Sequence, residues 1–184
     1  NVRFPPLDGV QLGAIALFDT QGELLAVSAI DNPGGVTPNA NEGVEQLIRY
    51  QTLGYATREV VQAGFLASNT TKWYDGSFVE TGRSTVRITL VRASAVGSYI
   101  FMTATDVRRR DPVSWTLNAV LTGGVTQQLD SQVDVSAPDG RSQLYPEIFV
   151  GMLPSETPPS TPPLDLSPSP SSPPHRLPIH CFHP

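Results

Sequence analysis

Apolar and polar residues alternate at every second position in several stretches of this chain, the spacing of strands with one buried face. Between Ser84 and Val91, Val86, Ile88 and Leu90 fall on one side, with Arg87 and Thr89 on the other. Val113, Trp115, Leu117, Ala119 and Leu121 share a face opposite Ser114, Thr116 and Asn118. Ala95 to Thr105, a further strand candidate, carries Val96, Tyr99, Phe101 and Thr103. Val10 to Phe18 reads as a strand closed by the turn signal Asp19-Thr20-Gln21-Gly22, and Glu23 to Ile30 follows directly, which predicts a hairpin. Two stretches break the pattern. Asn32-Pro33-Gly34-Gly35-Val36-Thr37-Pro38-Asn39 is too rich in turn formers to be other than a loop. Gly43 to Ala67 is the helical candidate, with Val44, Leu47 and Ile48 at helical spacing and good helix formers from Thr57 to Ala63. Short strands separated by polar turns predict an all-β sandwich with one short helical insertion.

The pattern stops near Met152. From Pro154 onward proline and serine dominate, and proline removes backbone donors and fixes φ. Residues 154–184 are therefore expected to be a disordered or polyproline tail or stalk behind one domain over residues 1–153. The chain opens on Asn1 without a signal-peptide pattern, as expected of a mature form or a fragment.

Composition then narrows the function. His175, His180 and His183, with Cys181, are all of the histidines and the one cysteine, and all lie in the tail. The body has a single lysine, Lys72. Acid–base chemistry at neutral pH, nucleophile activation and transition-metal ligation lean on those side chains, so the body reads as a binding rather than a catalytic unit. A zinc or copper site in the tail would lack a fold to preorganise it, and no cofactor is expected. A net charge of −5 with no polybasic face argues against nucleic acid. No apolar stretch is long enough to span a bilayer. Asn69-Thr70-Thr71 fits the N-glycosylation acceptor pattern.

Four segments in order carry a likeness to a known family. They are Val10 to Asp19, Asn32-Pro33-Gly34-Gly35, Thr71-Lys72-Trp73-Tyr74-Asp75, and the specific run Thr103 to Leu117 with Arg110-Asp111-Pro112-Val113-Ser114-Trp115. Together they resemble the discoidin, or coagulation factor 5/8 type C, family, and within it carbohydrate-binding modules of the family 32 type. The resemblance covers about Arg3 to Val150 and implies a galactose-binding-like jelly roll that takes glycan or glycoprotein in a secreted or cell-surface setting. It also places Trp73 in the core. Two features depart from the family. The acidic turn that often helps to hold a structural calcium has no counterpart, and Arg49 to Ser68 matches nothing in the pattern. Calcium needs clustered oxygen ligands, so the metal is not expected here. After the Trp115 strand, Leu121-Thr122-Gly123-Gly124-Val125-Thr126 keeps the family's turn and loses its aromatic residue.

Individual residues sort as follows. Trp115, flanked on its face by Val113 and Leu117, is expected in the core. Tyr74 and Tyr50, beside polar neighbours, are the expected exposed aromatics. Arg110 and Asp111 are expected to act on each other or on nearby backbone, and Asp111 is held extended by Pro112. Asn39, Tyr74, Asp75, Asp106 and Arg108 are the candidate ligand-binding residues at one loop end, with Arg109 beside them, where arginine forks and carboxylates suit vicinal hydroxyls. Asp75, Glu80, Asp106 and Asp111 could supply a glycosidase pair, but no motif singles one out. The leading expectation is a non-catalytic module binding carbohydrate. The alternative is a structural or adhesion domain contacting protein in a cell wall, matrix or larger assembly.

Overall fold

A computed structural model describes residues 8–53, 63 and 71–151. They fall in the first of the two units into which the chain divides, Asn1–Met152. The tail from Pro154, Asn69 and, but for Ala63, the helix expected over Thr57 to Ala63 lie outside the described residues.

The described residues form mostly strands: β1 (Val10–Leu12), β2 (Ala14–Phe18), β3 (Val27–Asp31), β4 (Trp73–Asp75), β5 (Arg87–Leu90), β6 (Ser98–Met102), β7 (Trp115–Val120), β8 (Thr126–Gln132) and β9 (Ile148–Phe149). They pair as β1–β4, β2–β6–β9, β3–β5 and β7–β8, all antiparallel. Several antiparallel sheets with few helices are consistent with a β-sandwich.

The β2–β6 pair lies at the centre. Its register sets Ile15 opposite Phe101 and Leu17 opposite Tyr99, while Ala14 meets Met102 and Ala16 meets Ile100. Since side chains alternate between faces, the first set turns toward the larger core with Leu12 and Trp73. The second set turns the other way, to a smaller core with Phe18 and Tyr50. Both faces are covered, which is why the segment is apolar throughout rather than alternating. Ile88 and Leu90 of β5 and Trp115 and Leu117 of β7 pack onto the first face. Their strands leave the opposite side to solvent and so keep the alternation seen in the sequence.

The expected hairpin is only begun. Asp19 closes the turn by accepting the N–H groups of Gln21 and Glu23, each at 2.9 Å, and Leu25 donates to the Leu17 carbonyl. The chain then leaves β2, and β3 pairs with β5, where Ile30 and Ile88 stand opposite each other against the larger core. Within the helical candidate, the described stretch Val44–Leu53 forms a 3₁₀ segment. Leu47 and Tyr50, three residues apart, both turn inward, and the Tyr50 hydroxyl donates to the Ile15 carbonyl at 3.0 Å. Tyr50 is thus a core residue rather than the exposed aromatic the sequence suggested.

Gly13 is where the chain passes from the β1–β4 sheet to the β2–β6 sheet. Its N–H donates to the Met102 carbonyl at 2.8 Å, and a Cβ there would sit 2.7 Å from the Thr103 carbonyl oxygen. Gly13→Ala is expected to cost about 2 kcal/mol in urea unfolding, because the obstacle is backbone. An unchanged midpoint would mean that β6 can move aside.

Candidate polar site at one loop end

The residues around Lys72 gather four chain segments at one end of the strands. Lys72, just before β4, is buried, and it is the only lysine. Its ammonium lies 2.5 Å from Asp106, 3.3 Å from Glu42 and 3.2 Å from the Gln11 side-chain oxygen. Gln11 in turn donates to the Val107 carbonyl at 2.9 Å, so the loop after β6 is tied to β1. Asn39 donates to the second Glu42 oxygen at 2.7 Å. A buried charge persists only when paired, and two carboxylates with one amide oxygen meet that need here.

Three arginines follow at once. Arg108–Arg110 form a 3₁₀ turn after Asp106. Arg110 reaches Asp8 through two hydrogen bonds of 2.9 and 2.6 Å, and Arg109 reaches the same carboxylate at 3.1 Å. The hydrogen bond from Arg110 holds the Asp8 carboxyl well below the usual carboxylate range, against the effect of its partial burial and with help from Arg109. Arg108 points out to Asp139 at 2.5 Å, with side chains 57% and 91% exposed. Burial would raise the Asp106 carboxyl, but the hydrogen bond and charge of Lys72 outweigh it and leave Asp106 lowered.

Arg110 and Asp111 do not pair with each other, as one reading of the sequence had it. Asp111 is extended before Pro112, with φ −67° and ψ 137°. That carries its buried carboxylate to Arg141, in two hydrogen bonds of 3.0 and 2.6 Å. Arg141 also donates to the Asp106 carbonyl at 2.9 Å and so braces the site loop from below.

Asn39 and Asp106 therefore share one network through Glu42 and Lys72, and Arg108 stands beside it. Tyr74 and Asp75 are buried, which corrects the expectation that they offer an exposed surface. Tyr74 pairs across from Gln11, and its hydroxyl donates to the Asp8 carbonyl. The Arg110 guanidinium carbon lies 4.6 Å from its ring centroid and the Lys72 ammonium 5.8 Å, so the ring is a platform for the two cations. Asp75 accepts from the Val36 N–H at 3.0 Å, the Ser77 N–H at 2.9 Å, the Ser77 hydroxyl at 2.7 Å and the Ser84 hydroxyl. Those bonds spend its acceptor capacity inside the molecule.

Trp73 is buried, and Trp115 is partly buried against the aromatic cluster, its ring 5.1 Å from Phe101 and 5.9 Å from Tyr145. Lys72, Glu42, Gln11, Asp8, Asp139 and Arg141 were not assigned to a site from the sequence. A lone lysine leading into an apolar strand was the available signal. Among the described residues, no group of three or more His, Cys, Asp or Glu side chains is placed to hold a metal ion. Nor is any described helix long and apolar enough to cross a membrane. No protein-family model, no curated protein and no solved structure matches this chain.

Proposed function

We propose that this chain is a non-catalytic binding module of galactose-binding-like jelly-roll type. In this reading it works in a secreted or cell-surface setting and takes carbohydrate at the loop end built on Lys72. One observation carries the reading. Asn39, Glu42 and Asp106 are linked to the buried Lys72 ammonium, Arg141 holds the Asp106 backbone, and the exposed Arg108–Asp139 pair stands beside them, so donors and acceptors gather at this loop end. Each sugar hydroxyl both donates and accepts, so vicinal hydroxyls suit such a cluster. The lowered carboxyls of Asp8, Asp75 and Asp106 fit acceptors better than proton donors.

A glycan array probed with the full chain tests this. Asp106→Asn and Arg108→Ala are each expected to weaken the best glycan by about tenfold, close to 1.4 kcal/mol. Binding by both variants at parental strength would remove the site.

A protein-contacting role draws on a different feature. At the tip of the β7–β8 hairpin, where Gly123 and Gly124 take positive φ, Val120, Leu121 and Val125 are 69%, 47% and 61% exposed. In that reading the proline-serine tail is a spacer that sets reach. Glycan binding undisturbed by the double change Val120→Ser, Val125→Ser would favour the sugar-binding role.

A further inference from the structure

No ladder joins β5 to β7, so the β3–β5 and β7–β8 pairs stand apart over the central sheet. Between them opens a cavity of about 730 Å³, within the range of small-molecule sites. Ile88 of β5 and Leu117 and Trp115 of β7 form its walls, and Phe101 and Trp73 line it from the central layers. The cleft is open to solvent and its lining is mainly apolar, so covering that lining with an apolar ligand is favourable.

Two polar groups on the lining have no protein partner among the described residues, one buried and one exposed. The Trp73 indole N–H is buried and has no hydrogen-bond partner, whereas Trp115 donates its own to the Tyr99 hydroxyl at 2.8 Å. Buried indole N–H groups are normally paired, so Trp73 calls for an acceptor from the cavity it lines. Arg83 is the second. It also lines the cavity and is exposed, and no described carboxylate is set against its guanidinium. In contrast, Arg87, Arg108, Arg109, Arg110 and Arg141 each have an aspartate.

We propose that this cleft is a binding site, separate from the loop end, for an oxygen-bearing apolar acid. The acyl or aryl body lies between β5 and β7, an internal hydroxyl or carbonyl oxygen accepts from Trp73, and the carboxylate meets Arg83. The aromatic and aliphatic walls supply affinity, the two polar groups supply orientation, and a neutral or oxygen-free analogue loses one of them.

The test is displacement of anilinonaphthalene sulfonate fluorescence from the full chain by hydroxydodecanoate, dodecanoate and dodecanol. Saturable displacement is expected, strongest for hydroxydodecanoate and weakest for dodecanol. Arg83→Gln should erase the preference for acid over alcohol, about tenfold, without moving the unfolding midpoint, since the side chain is exposed. Trp73→Phe should erase the preference for the hydroxylated acid, and Leu117→Trp should fill the cleft and abolish displacement. Asp106→Asn should change none of this, which separates the cleft from the glycan reading. The proposal is overturned if no probe displaces the dye saturably, as it would be if other residues of the chain fill the cleft. It is equally overturned if Leu117→Trp binds like the parent, or if Arg83→Gln keeps the acid preference.

Discussion

Asp111→Ala is expected to lower the unfolding free energy by about 4 kcal/mol, as breaking a buried ion pair from one side does. Asp111 is fully buried, and its two hydrogen bonds to Arg141 are of 3.0 and 2.6 Å. Removing the carboxylate leaves a partly buried guanidinium whose remaining bonds run to the Asp106 and Pro138 carbonyls. The loss therefore has two parts: an uncompensated charge, and a slackened loop at Asp106. Arg108→Ala is the matched control, because its pair with Asp139 is exposed and should contribute about 0.5 kcal/mol or less. Urea unfolding of both variants, with Arg141→Ala and the double change to close the cycle, separates the pair from its surroundings. A cost for Asp111→Ala no larger than that of Arg108→Ala would show that Arg141 does not brace the site.

The contrast between these two ion pairs also marks what the sequence could and could not tell. The faces of β5 and β7 were legible because each strand has one side in solvent, so Ile88 and Leu117 alternate with Arg87 and Thr116. The same period told less about β2, where Ile15 and Ala16 serve two different cores. Trp73 and Trp115 turn toward the core, and for Trp115 the alternating neighbours made this legible. Polar neighbours misled at Tyr74: Lys72 and Asp75 do not mark a wet surface, because the first turns back over the ring and the second is bonded within the molecule. The partners of Arg110 and Asp111 lie 102 and 30 residues away, so nothing local could separate them from each other. Strand pairing was equally hidden. The Asp19 turn was read correctly, yet what β3 pairs with depends on a strand far along the chain. The loop-end network was visible only in fragments, as a lone lysine and a run of three arginines.

Asp75 gives the second large effect, and it carries a pH signature. Its carboxylate ties the loop at Val36 to the helical turn at Ser77 and to Ser84. Asp75→Ala strands the Val36 and Ser77 N–H groups and is expected to cost about 3 kcal/mol at neutral pH. Burial alone would raise this carboxyl, but the hydrogen bonds from Ser84, Ser77 and Val36 favour the ionised form and bring it below its ordinary value. A carboxyl depressed in the folded state contributes stability above its unfolded value, near 3.9, and that stability is lost as pH falls through the folded value. The gap between parent and Asp75→Ala should therefore be widest near neutrality and narrow as pH drops below about 4. Asp8, Asp106 and Asp130 shift in the same direction, so the parent itself should weaken in acid while the variant weakens less steeply. Unfolding midpoints measured from neutral pH down into acid read this directly. A gap that stays constant throughout would mean that the hydrogen bonds hold Asp75 equally well when it is protonated, and the loop at Val36 would then be fixed by its shape rather than by its charge.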